Sequence, residues 1–383
     1  MTSPLYIDIH VLQTVPPSNL NRDDAGSPKQ AVYGGVRRAR VSSQSWKRAT
    51  RMHFADFTPS DQQATRTKGV ATLLTDRLVE HTGLERDQAY RVTATLLKPL
   101  NIKPGKKEDS TAYLLFFGRD QIDRIAARAA GRLDNSVAQL SDDELSKALA
   151  DISAQEDLMN GHPLEVALFG RMVADLAALN VDAAVQVAHS ISTHAVEIEF
   201  DYFTAVDDEK DRAKGDDVGA AMIGTVEFNS ATLYRYATVA VHQLVENLGG
   251  ARDAAVDAVQ RFVDGFVRAM PTGHQNAFAH RTLPDAVVVV ARDDQPVNLV
   301  SAFEEPVRSS NGYMAASLRA LVDELEQVER RWGRQPRLVA STYRSDDSAD
   351  SGVASTLGPS TPFDDLLAAT ATTVQAHLAG TSS

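Results

Sequence analysis

The chain begins with an alternation of apolar and polar residues. Residues 5–11 read LYIDIHV, so that apolar side chains occupy every odd position. This period of two predicts a half-buried β-strand. After a polar loop, residues 41–54 (VSSQSWKRATRMHF) begin with serines suited to helix capping and place Trp46, Ala49 and Met52 at helical spacing. They predict the first helix.

A long block with helical periodicity follows. Between residue 61 and about residue 187, the segments RIAARAAGRL, DDELSKALADI and VALFGRMVADLAAL repeat apolar residues at helical intervals. The segment NIKPGKKEDS is polar and predicts an exposed loop. The block as a whole predicts an inserted helical subdomain.

Two further strands flank a polar segment. THAVEIEFDYFTAV (193–206) and MIGTVEFNSATLYRYATVAV (222–241) are rich in β-branched and aromatic residues, which favours strands. The residues between them, DDEKDRAKGDDVGAA (207–221), are too polar to pack in a core. They predict a long hairpin loop.

The last third of the chain continues the mixed pattern. It predicts a helix over 252–270, a short buried strand over 285–291 (DAVVVVA) and a helix near 313–332. A Ser- and Asp-rich linker near 341–360 precedes a last helix that begins at TPFDD, with Pro362 in its first turn.

The order of these elements predicts the fold class. With the helical block set aside, they run strand, helix, strand, strand, helix, strand. This order is the ferredoxin-like or RNA-recognition-motif plan, and the predicted class is α+β. Such sheets commonly offer one face to single-stranded RNA.

The composition is that of a globular protein. At 383 residues, the chain is long enough for about two domains or one domain with large insertions. No apolar run approaches the roughly 18 residues of a membrane span, and residues 1–15 lack a signal-peptide pattern, so we expect a cytoplasmic protein without membrane contact. The absence of cysteine excludes disulfides, thiolate zinc sites and a cysteine nucleophile.

Positive charge is concentrated in one stretch. The formal charge is −12, yet residues 22–51 hold eight Lys or Arg against Asp23 and Asp24, a local charge of +6 that leaves −18 elsewhere. An acidic surface repels nucleic acid except at such a strip, so binding there should be local and oriented. The alternative is a solvated helix and hairpin.

The neighbours of these cations favour a site for phosphate and ribose. Hydroxyl and amide side chains accompany the cations at the predicted helix start, where backbone amides are also free. Gly34 and Gly35 would let the backbone approach a ligand closely. The residues concerned are Asn21, Ser42, Ser43, Gln44 and Ser45, beside Lys47, Arg48 and Arg51.

Several separated motifs recur, in this order, in one protein family. They are LNRDD, GGVRRARVSSQSWKRA, ALFGRM, AHSISTH, FTAVDD, YRYA, ENLGG and NAFAHRTLPDAVVVV. On these motifs the chain closely resembles the CasC family, the repeated backbone subunits of the type I-E CRISPR surveillance complex, Cascade. The resemblance covers most of the chain but not the region after about residue 340.

The resemblance implies a right-hand shape. Family members have a modified RNA-recognition-motif palm, a large insertion of helical fingers and a protruding thumb loop. The corresponding palm segments are 1–60, 188–198 and 225–340, the fingers are 61–187, the thumb is 199–224, and 341–383 form a linker and C-terminal helix.

The resemblance also implies a non-catalytic function. Copies of the subunit, roughly six, stack head to tail along one CRISPR RNA. They hold its backbone and leave most bases free to pair with a target DNA strand. The remaining partners are other Cascade subunits and a recruited helicase-nuclease, and no cofactor or metal is expected.

Individual residues can be carried over from the family pattern. Contacts to the guide backbone are implied for Asn21, Arg22, Ser42, Gln44, Lys47 and Arg48, and the chemistry of the segment adds Arg51. The thumb of family members folds over the guide and displaces a base at regular intervals. Residues implied around that nucleotide are Met172, Phe203, Thr204 and Val206.

A second group of cations lies in the helical block. Arg124, Arg128 and Arg132 are spaced i, i+4, i+8, which places them on one helix face. One interpretation is a solvated face paired with Asp120 and Asp123. The other is a stripe that lines the assembled filament and guides duplex DNA toward unwinding, a role that basic finger residues play in relatives.

Asp23 and Asp24 leave an enzymatic alternative open. Adjacent carboxylates beside bound RNA could hold Mg²⁺ and make the protein a metal-dependent ribonuclease. Otherwise they orient Arg22 or accept hydrogen bonds from amides of a turn. A further alternative is a general single-strand RNA-binding protein outside CRISPR immunity.

Two other pairs of residues are candidate sites. His189 and His194 are five apart and make a poor zinc site, so core or capping roles are expected. Tyr234 and Tyr236 alternate on a strand, as base-stacking aromatics would, although a structural role is more common. The sequence lacks the phosphate loop, the dinucleotide glycine fingerprint and the nucleophile elbow.

Overall fold

The computed structural model describes residues 3–100, 111, 114–133, 140–205, 222–344 and 351–380. Its strands are β1 (Tyr6–Ser18), β2 (Gln30–Tyr33), β3 (Val36–Val41), β4 (Ala64–Thr67), β5 (Leu115–Gly118), β6 (Val185–Val187), β7 (Ser190–Ser192), β8 (Glu199–Ala205), β9 (Met222–Ala240), β10 (Ala286–Arg292) and β11 (Leu338–Tyr343). Its α-helices are α1 (Ser43–Ala55), α2 (Val70–Thr82), α3 (Arg86–Leu97), α4 (Arg119–Ala130), α5 (Asp142–Ala148), α6 (Ala154–Met159), α7 (Leu164–Phe169), α8 (Val241–Asn247), α9 (Arg252–Arg268), α10 (Gln275–Phe278), α11 (Met314–Trp332), α12 (Ser351–Leu357) and α13 (Phe363–Gly380). The predicted α+β class is confirmed.

An antiparallel sheet forms the centre of the fold. Its strands follow the order β11-β10-β1-β9-β7-β3-β2, and β6 and β8 also pair with β9. Strand β1 lies between β9 and β10 and is antiparallel to both. The three predicted strands that became β1, β9 and β10 therefore lie side by side in the sheet.

Both faces of β1 are buried, although the alternation of apolar and polar residues predicted a strand with only one buried face. The odd positions, among them Ile7 and Ile9, join the core beneath helices α1, α9 and α13. The even positions Asp8 and His10 are also buried, on the face that packs against α11. The polar residues of the first strand thus face a second helical layer rather than water.

The second helical layer also covers two tyrosines of β9. Tyr234 and Tyr236 are buried and pack in the cluster formed with α11. Their hydroxyls donate hydrogen bonds to Asn298 Oδ1 at 3.1 Å and to Asp8 Oδ1 at 2.9 Å, respectively. The base-stacking interpretation of these tyrosines is therefore wrong, and the structural one is confirmed.

The helical block has a hydrophobic core of its own. Helices α2 to α6 pack around a two-stranded antiparallel sheet formed by β4 and β5, with Leu74, Phe117 and Ile125 among the fully buried side chains. The sequence predicted most of these helices but not this strand pair. Each of these strands is only four residues long, too short for a recognisable alternation. The predicted helical segment VALFGRMVADLAAL (166–179) is α-helical only through Phe169, where α7 ends.

The C-terminal region packs on the central sheet and its helices. Leu366 and Val374 of α13 belong to the main core, where α13 contacts α9. The segment 341–360, expected to be a linker, contains the end of β11 and helix α12. In the described part of the chain, no helix combines the length and apolar character that a membrane span requires.

Candidate nucleic-acid interface

Polar side chains hold the start of helix α1. Ser42 is the N-cap, and its Oγ accepts a hydrogen bond from Ser45 N at 3.4 Å. Asn21 Oδ1 accepts one from Ser42 N at 2.9 Å, and His189 Nδ1 accepts one from Ser43 N at 3.2 Å. The predicted capping by serine and the capping role of His189 are confirmed. Asn21 and Ser42 orient the basic helix through these bonds.

The buried face of α1 sets the direction of its cations. Trp46 and Phe54 are buried, and Trp46 Nε1 donates a hydrogen bond to Ser190 Oγ at 2.9 Å. Met52 is 42% exposed and Ala49 is half-buried. The predicted first helix is confirmed, and its buried face runs through Trp46, Thr50 and Phe54.

Three cations of α1 lie beside a fourth from strand β4. Lys47, Arg48, Arg51 and Arg66 are here called the α1 cation cluster. Burial and then the charge of Arg66 lower the pKa of Lys47, and the same two causes lead the lowering of the pKa of Arg51. Among the described residues, no carboxylate forms an ion pair with any of the four. Sequence reasoning missed Arg66 because it lies outside the basic strip.

The positive surface continues past the start of α1. Burial lowers the pKa of His189, and the charges of Arg40, Lys29 and Lys47 lower it further. Arg40 Nη1 lies 3.3 Å from His189 Nδ1. The cations of the β2–β3 region therefore adjoin the α1 cation cluster. Gln44 is exposed on the same helix.

One cation of the basic strip is part of the core instead. Arg38 is fully buried and donates hydrogen bonds to the carbonyl oxygens of Ser192 at 2.9 Å, Phe303 at 2.7 Å and Tyr33 at 3.2 Å. Its guanidinium joins β3 to β7 and to the segment before α11. Arg38 therefore contributes charge to the strip but no contact surface.

Gly34 and Gly35 form a turn of the protein chain and do not line a ligand site. Gly34 and Gly35 have φ of 59° and 77° and form the two-residue turn of the β2–β3 hairpin. A Cβ on Gly34 would lie 1.6 Å from the carbonyl oxygen of Glu304. The predicted close backbone approach exists, but its partner is the protein's own backbone.

A groove of about 420 Å³ adjoins the cation cluster. Arg22, Arg48 and Arg281 line it, together with residues 269–273. Arg22 Nη1 lies 2.6 Å from Nε2 of His274, a non-glycine residue with φ of 50°. The groove thus brings arginines from three separate segments to one concave surface. Arg281 lies within the motif NAFAHRTLPDAVVVV, but sequence reasoning did not single it out as a site residue.

The proposed displaced-base residues occupy two exposed places. Phe203 is 37% exposed in β8, and a Cβ on the opposite Gly224 would lie 2.3 Å from its ring. Thr204 is exposed beside it, and Val206 and the predicted loop 207–221 lie outside the described residues. Met172 is 84% exposed. In the described part of the chain, no hydrogen bond joins these residues to α1.

Two more aromatic side chains are exposed on the hairpin of β8 and β9. Phe200 and Tyr202 lie on the other face of β8 and are 67% and 64% exposed. The predicted strand 193–206 includes β8, but the chain is irregular between β7 and β8. The sequence indicated aromatic strand residues without showing that they lie outside the core.

The carboxylates of the basic strip form a turn. Asp23 Oδ1 accepts hydrogen bonds from Ala25 N at 2.9 Å and Ser27 N at 3.0 Å. Asp24 is exposed. Within the described ranges, no group of three or more His, Asp or Glu could hold a metal ion. For Asp23, the expectation that it accepts bonds from turn amides is confirmed.

The arginine stripe of the helical block is fully paired. The pairs are Arg124–Asp120 at 2.8 Å, Arg128–Asp157 at 2.8 Å, and Arg132–Asp151. Asp123, the other expected partner, contacts His81 Nε2 at 3.0 Å instead. These ion pairs favour the interpretation as a solvated face, because each cation already has a counter-charge.

His194 is a core residue, as expected. Its ring stacks on Tyr313 with centroids 3.7 Å apart. Its Nε2 accepts a hydrogen bond from Thr232 N at 3.1 Å. His194 therefore fastens β9 to the segment that leads into α11 and is unavailable to a metal.

A family model described as CT1975-like protein matches residues 7–369, nearly the whole chain. The chain belongs to the CT1975-like protein family. No curated protein matches this CT1975-like protein.

Solved structures resemble the CT1975-like protein over nearly all of its length. A chain described as "CRISPR RNA-guided surveillance complex, pre-nicking" is 33% identical with a TM-score of 0.80, and the match covers 96% of this chain and all of the other. A chain described as "CRISPR RNA-guided surveillance complex" is 29% identical with a TM-score of 0.72, covering 96% and 99%.

Proposed function

We propose that this CT1975-like protein is a CasC-type, non-catalytic backbone subunit of a type I-E CRISPR Cascade complex. Several copies stack along one guide RNA in the cytoplasm, hold its phosphate-ribose backbone and present bases for pairing with target DNA in antiviral defence. The other partners are the remaining Cascade subunits and a recruited helicase-nuclease. Similarity to subunits of two CRISPR RNA-guided surveillance complexes supports this function.

The α1 cation cluster is the observation that carries the proposal. Four cations gather on one surface, and none has an ion-pair partner among the described residues. Like charges repel each other, so such a group favours a polyanion that neutralises it. Contacts to phosphates fix the register of a nucleic acid without reading its sequence. A guide that must remain free to pair requires this kind of contact.

The sheet supports an RNA-recognition-motif palm with an altered binding face. The order β10-β1-β9-β7 matches the order fourth, first, third, second strand of such a plan. The strand in the second position, β7, lies just before the predicted second strand 193–206. Helices α1 and α9 pack together on one face. Because α11 covers the other face, we place the RNA along α1 rather than on the sheet. In this arrangement the protein contacts the phosphate-ribose backbone of the RNA through α1 and does not stack bases on the sheet.

The remaining parts of the hand follow the same pattern. We assign the palm to 1–60, 188–198 and 225–340 and the fingers to 61–187. Helices α2 to α6 of the fingers have a separate core, whereas β6 at the end of this range pairs with β9 of the central sheet. The hairpin of β8 and β9 is the base of the thumb at 199–224, where Phe203 and Thr204 contact a displaced nucleotide. In the C-terminal region 341–383, the described helix α13 packs against the core of the palm.

Copurification of RNA tests this function. The chain is co-expressed with its neighbouring genes and a CRISPR array and purified, and the bound RNA is sequenced and sized. The test variant carries Lys47→Glu and Arg48→Glu. The matched control carries Arg86→Glu and Arg261→Glu, which reverse two exposed charges that are paired with Asp76 and Asp257.

We expect discrete guide-length RNA in a large particle from the wild type and the control, and loss of both from the test variant. Heterogeneous RNA without an ordered particle would instead indicate a general RNA-binding protein. Equal RNA retention by the test variant and the control would refute the assignment of the interface.

A further inference from the structure

Strand β4 brings a cation to the edge of the basic helix. Arg66 lies opposite Phe116 in the register of β4 and β5, and its guanidinium carbon is 4.8 Å from the centroid of that ring. Arg51 of α1 approaches the same ring at 5.0 Å. Phe116 is buried. The two arginines thus share one aromatic support where α1 meets the helical block.

The positive charges of Arg51 and Arg66 are not neutralised by an ion pair with a carboxylate among the described residues. Burial lowers the pKa of Arg51, and Arg66 lowers it further. Glu165 is the carboxylate whose charge acts on Arg51, but it is buried, and burial raises its pKa. Its Oε1 accepts a hydrogen bond from Ala64 N at 3.1 Å. The Arg51 Nε is buried and has no hydrogen-bond partner among the described residues.

Other arginines of the same block are paired. Arg77, Arg86 and Arg91 form ion pairs with carboxylates at 2.5, 2.7 and 2.8 Å. Arg66, which is exposed, has no such partner among the described residues. Its packing on Phe116 holds the guanidinium in place while its N–H groups stay open to a ligand.

We infer that Arg66, together with Arg51, binds phosphodiester groups of the guide RNA where it leaves helix α1. This inference rests on the proposed function and extends the RNA path from the palm onto the first strand of the helical block. A guanidinium presents a planar fork of donors that matches phosphate oxygens. Two guanidiniums on one ring are close enough to contact the same or adjacent phosphates.

The salt dependence of RNA binding tests the inference. Affinity of the purified full-length protein for a short single-stranded RNA is measured by fluorescence anisotropy across a range of salt concentrations. The variants are Arg66→Gln, Arg66→Lys and Lys47→Gln, of which the last tests the proposed function. Arg86→Gln is the matched control, because it removes one paired cation from the same block. Circular dichroism melting monitors folding of each variant.

Each phosphate contact contributes about 0.7 to the slope of log affinity against log salt for a single strand. We expect Arg66→Gln to flatten the slope by about that amount, Arg66→Lys to restore most of it, and Arg86→Gln to leave it unchanged. If Arg66→Gln and Arg86→Gln give the same slope while Lys47→Gln flattens it, Arg66 binds no phosphate and the proposed function stands. If neither Arg66→Gln nor Lys47→Gln alters the slope, both assignments fail.

Discussion

Trp46 Nε1 and Ser190 Oγ form a buried hydrogen bond of 2.9 Å that fastens the basic helix α1 to strand β7. The guanidinium carbon of Arg235 lies 3.8 Å from the centroid of the Trp46 ring on the sheet side. A donor that is polar and buried is costly to leave unpaired. This contact therefore fixes which side chains of α1 face outward.

Ser190→Ala should lower the free energy of unfolding by about 1–2 kcal/mol, because it leaves the indole N–H without its partner. Chemical denaturation measures this loss. In a Trp46→Phe background the same substitution should cost much less, since the donor is already absent. An equal loss in both backgrounds would show that the hydrogen bond contributes nothing.

Asp23→Ala should destabilise the protein by about 1 kcal/mol, because its carboxylate accepts two amide hydrogen bonds of a turn. Asp24→Ala should have little effect, as that side chain is exposed. Incubation of the wild type with RNA and Mg²⁺ should give no cleavage. Mg²⁺-dependent cleavage that either substitution abolishes would establish the ribonuclease alternative.

Simultaneous Arg124→Gln, Arg128→Gln and Arg132→Gln substitutions should change the affinity of the assembled complex for duplex target DNA by less than about threefold, because surface ion pairs already neutralise these cations. Binding titrations at several salt concentrations check this expectation. A large loss of affinity with a flatter salt slope would instead support the role in guiding DNA.

His10 should make the protein sensitive to acid. Burial lowers its pKa from 6.5 to about 3. As pH falls from 7 to 5, the unfolded chain takes up a proton that the folded protein excludes, so stability falls by about 2 kcal/mol through this group. His10→Gln should be less stable at pH 7 but lose correspondingly less on acidification.

Denaturant unfolding of wild type and His10→Gln at both pH values measures the difference. Asp8 acts in the opposite direction, since burial raises its pKa to about 6 and its contribution grows as pH falls below that value. Both proteins contain Asp8, so its effect cancels in the comparison. Equal acid sensitivity of the two proteins would contradict a neutral, buried His10.

Gly224→Ala should displace the ring of Phe203, because the added methyl would lie 2.3 Å from it. If Phe203 contacts a displaced nucleotide, fewer copies should assemble per guide RNA. Native mass measurement of the purified particle would show this. Gly352→Ala, where nothing lies within 4 Å of the added methyl, is the control and should assemble normally.

Local sequence patterns were sufficient to predict most of the secondary structure. They also predicted the part of the site that lies on α1. The helical face of α9 was visible in the spacing of Val259, Val263 and Phe266, all of which are buried. Ser42 was recognisable as a cap because capping depends on neighbours along the chain. The concentration of Lys and Arg around α1 was equally a property of consecutive residues.

Local patterns could not predict whether a given side chain is buried or exposed. Arg38 lies between exposed Arg37 and the half-buried Arg40, yet it is buried, because the hairpin of β2 and β3 directs it toward three carbonyl oxygens. The alternation of Tyr234 and Tyr236 is compatible with either a binding face or a packed one. Helix α11, which follows about 80 residues later in the chain, packs over both tyrosines and makes this a packed face.

The sequence by itself determined the α+β element order, the capped basic helix and the excess of positive charge near its start, because each depends on residues close together in the chain. Only the tertiary structure joined Arg66 to that helix, paired the Arg124 stripe with aspartates and covered one face of the sheet. These outcomes depend on which distant segments meet in space, and electrostatic and packing energies follow those distances rather than separation along the sequence.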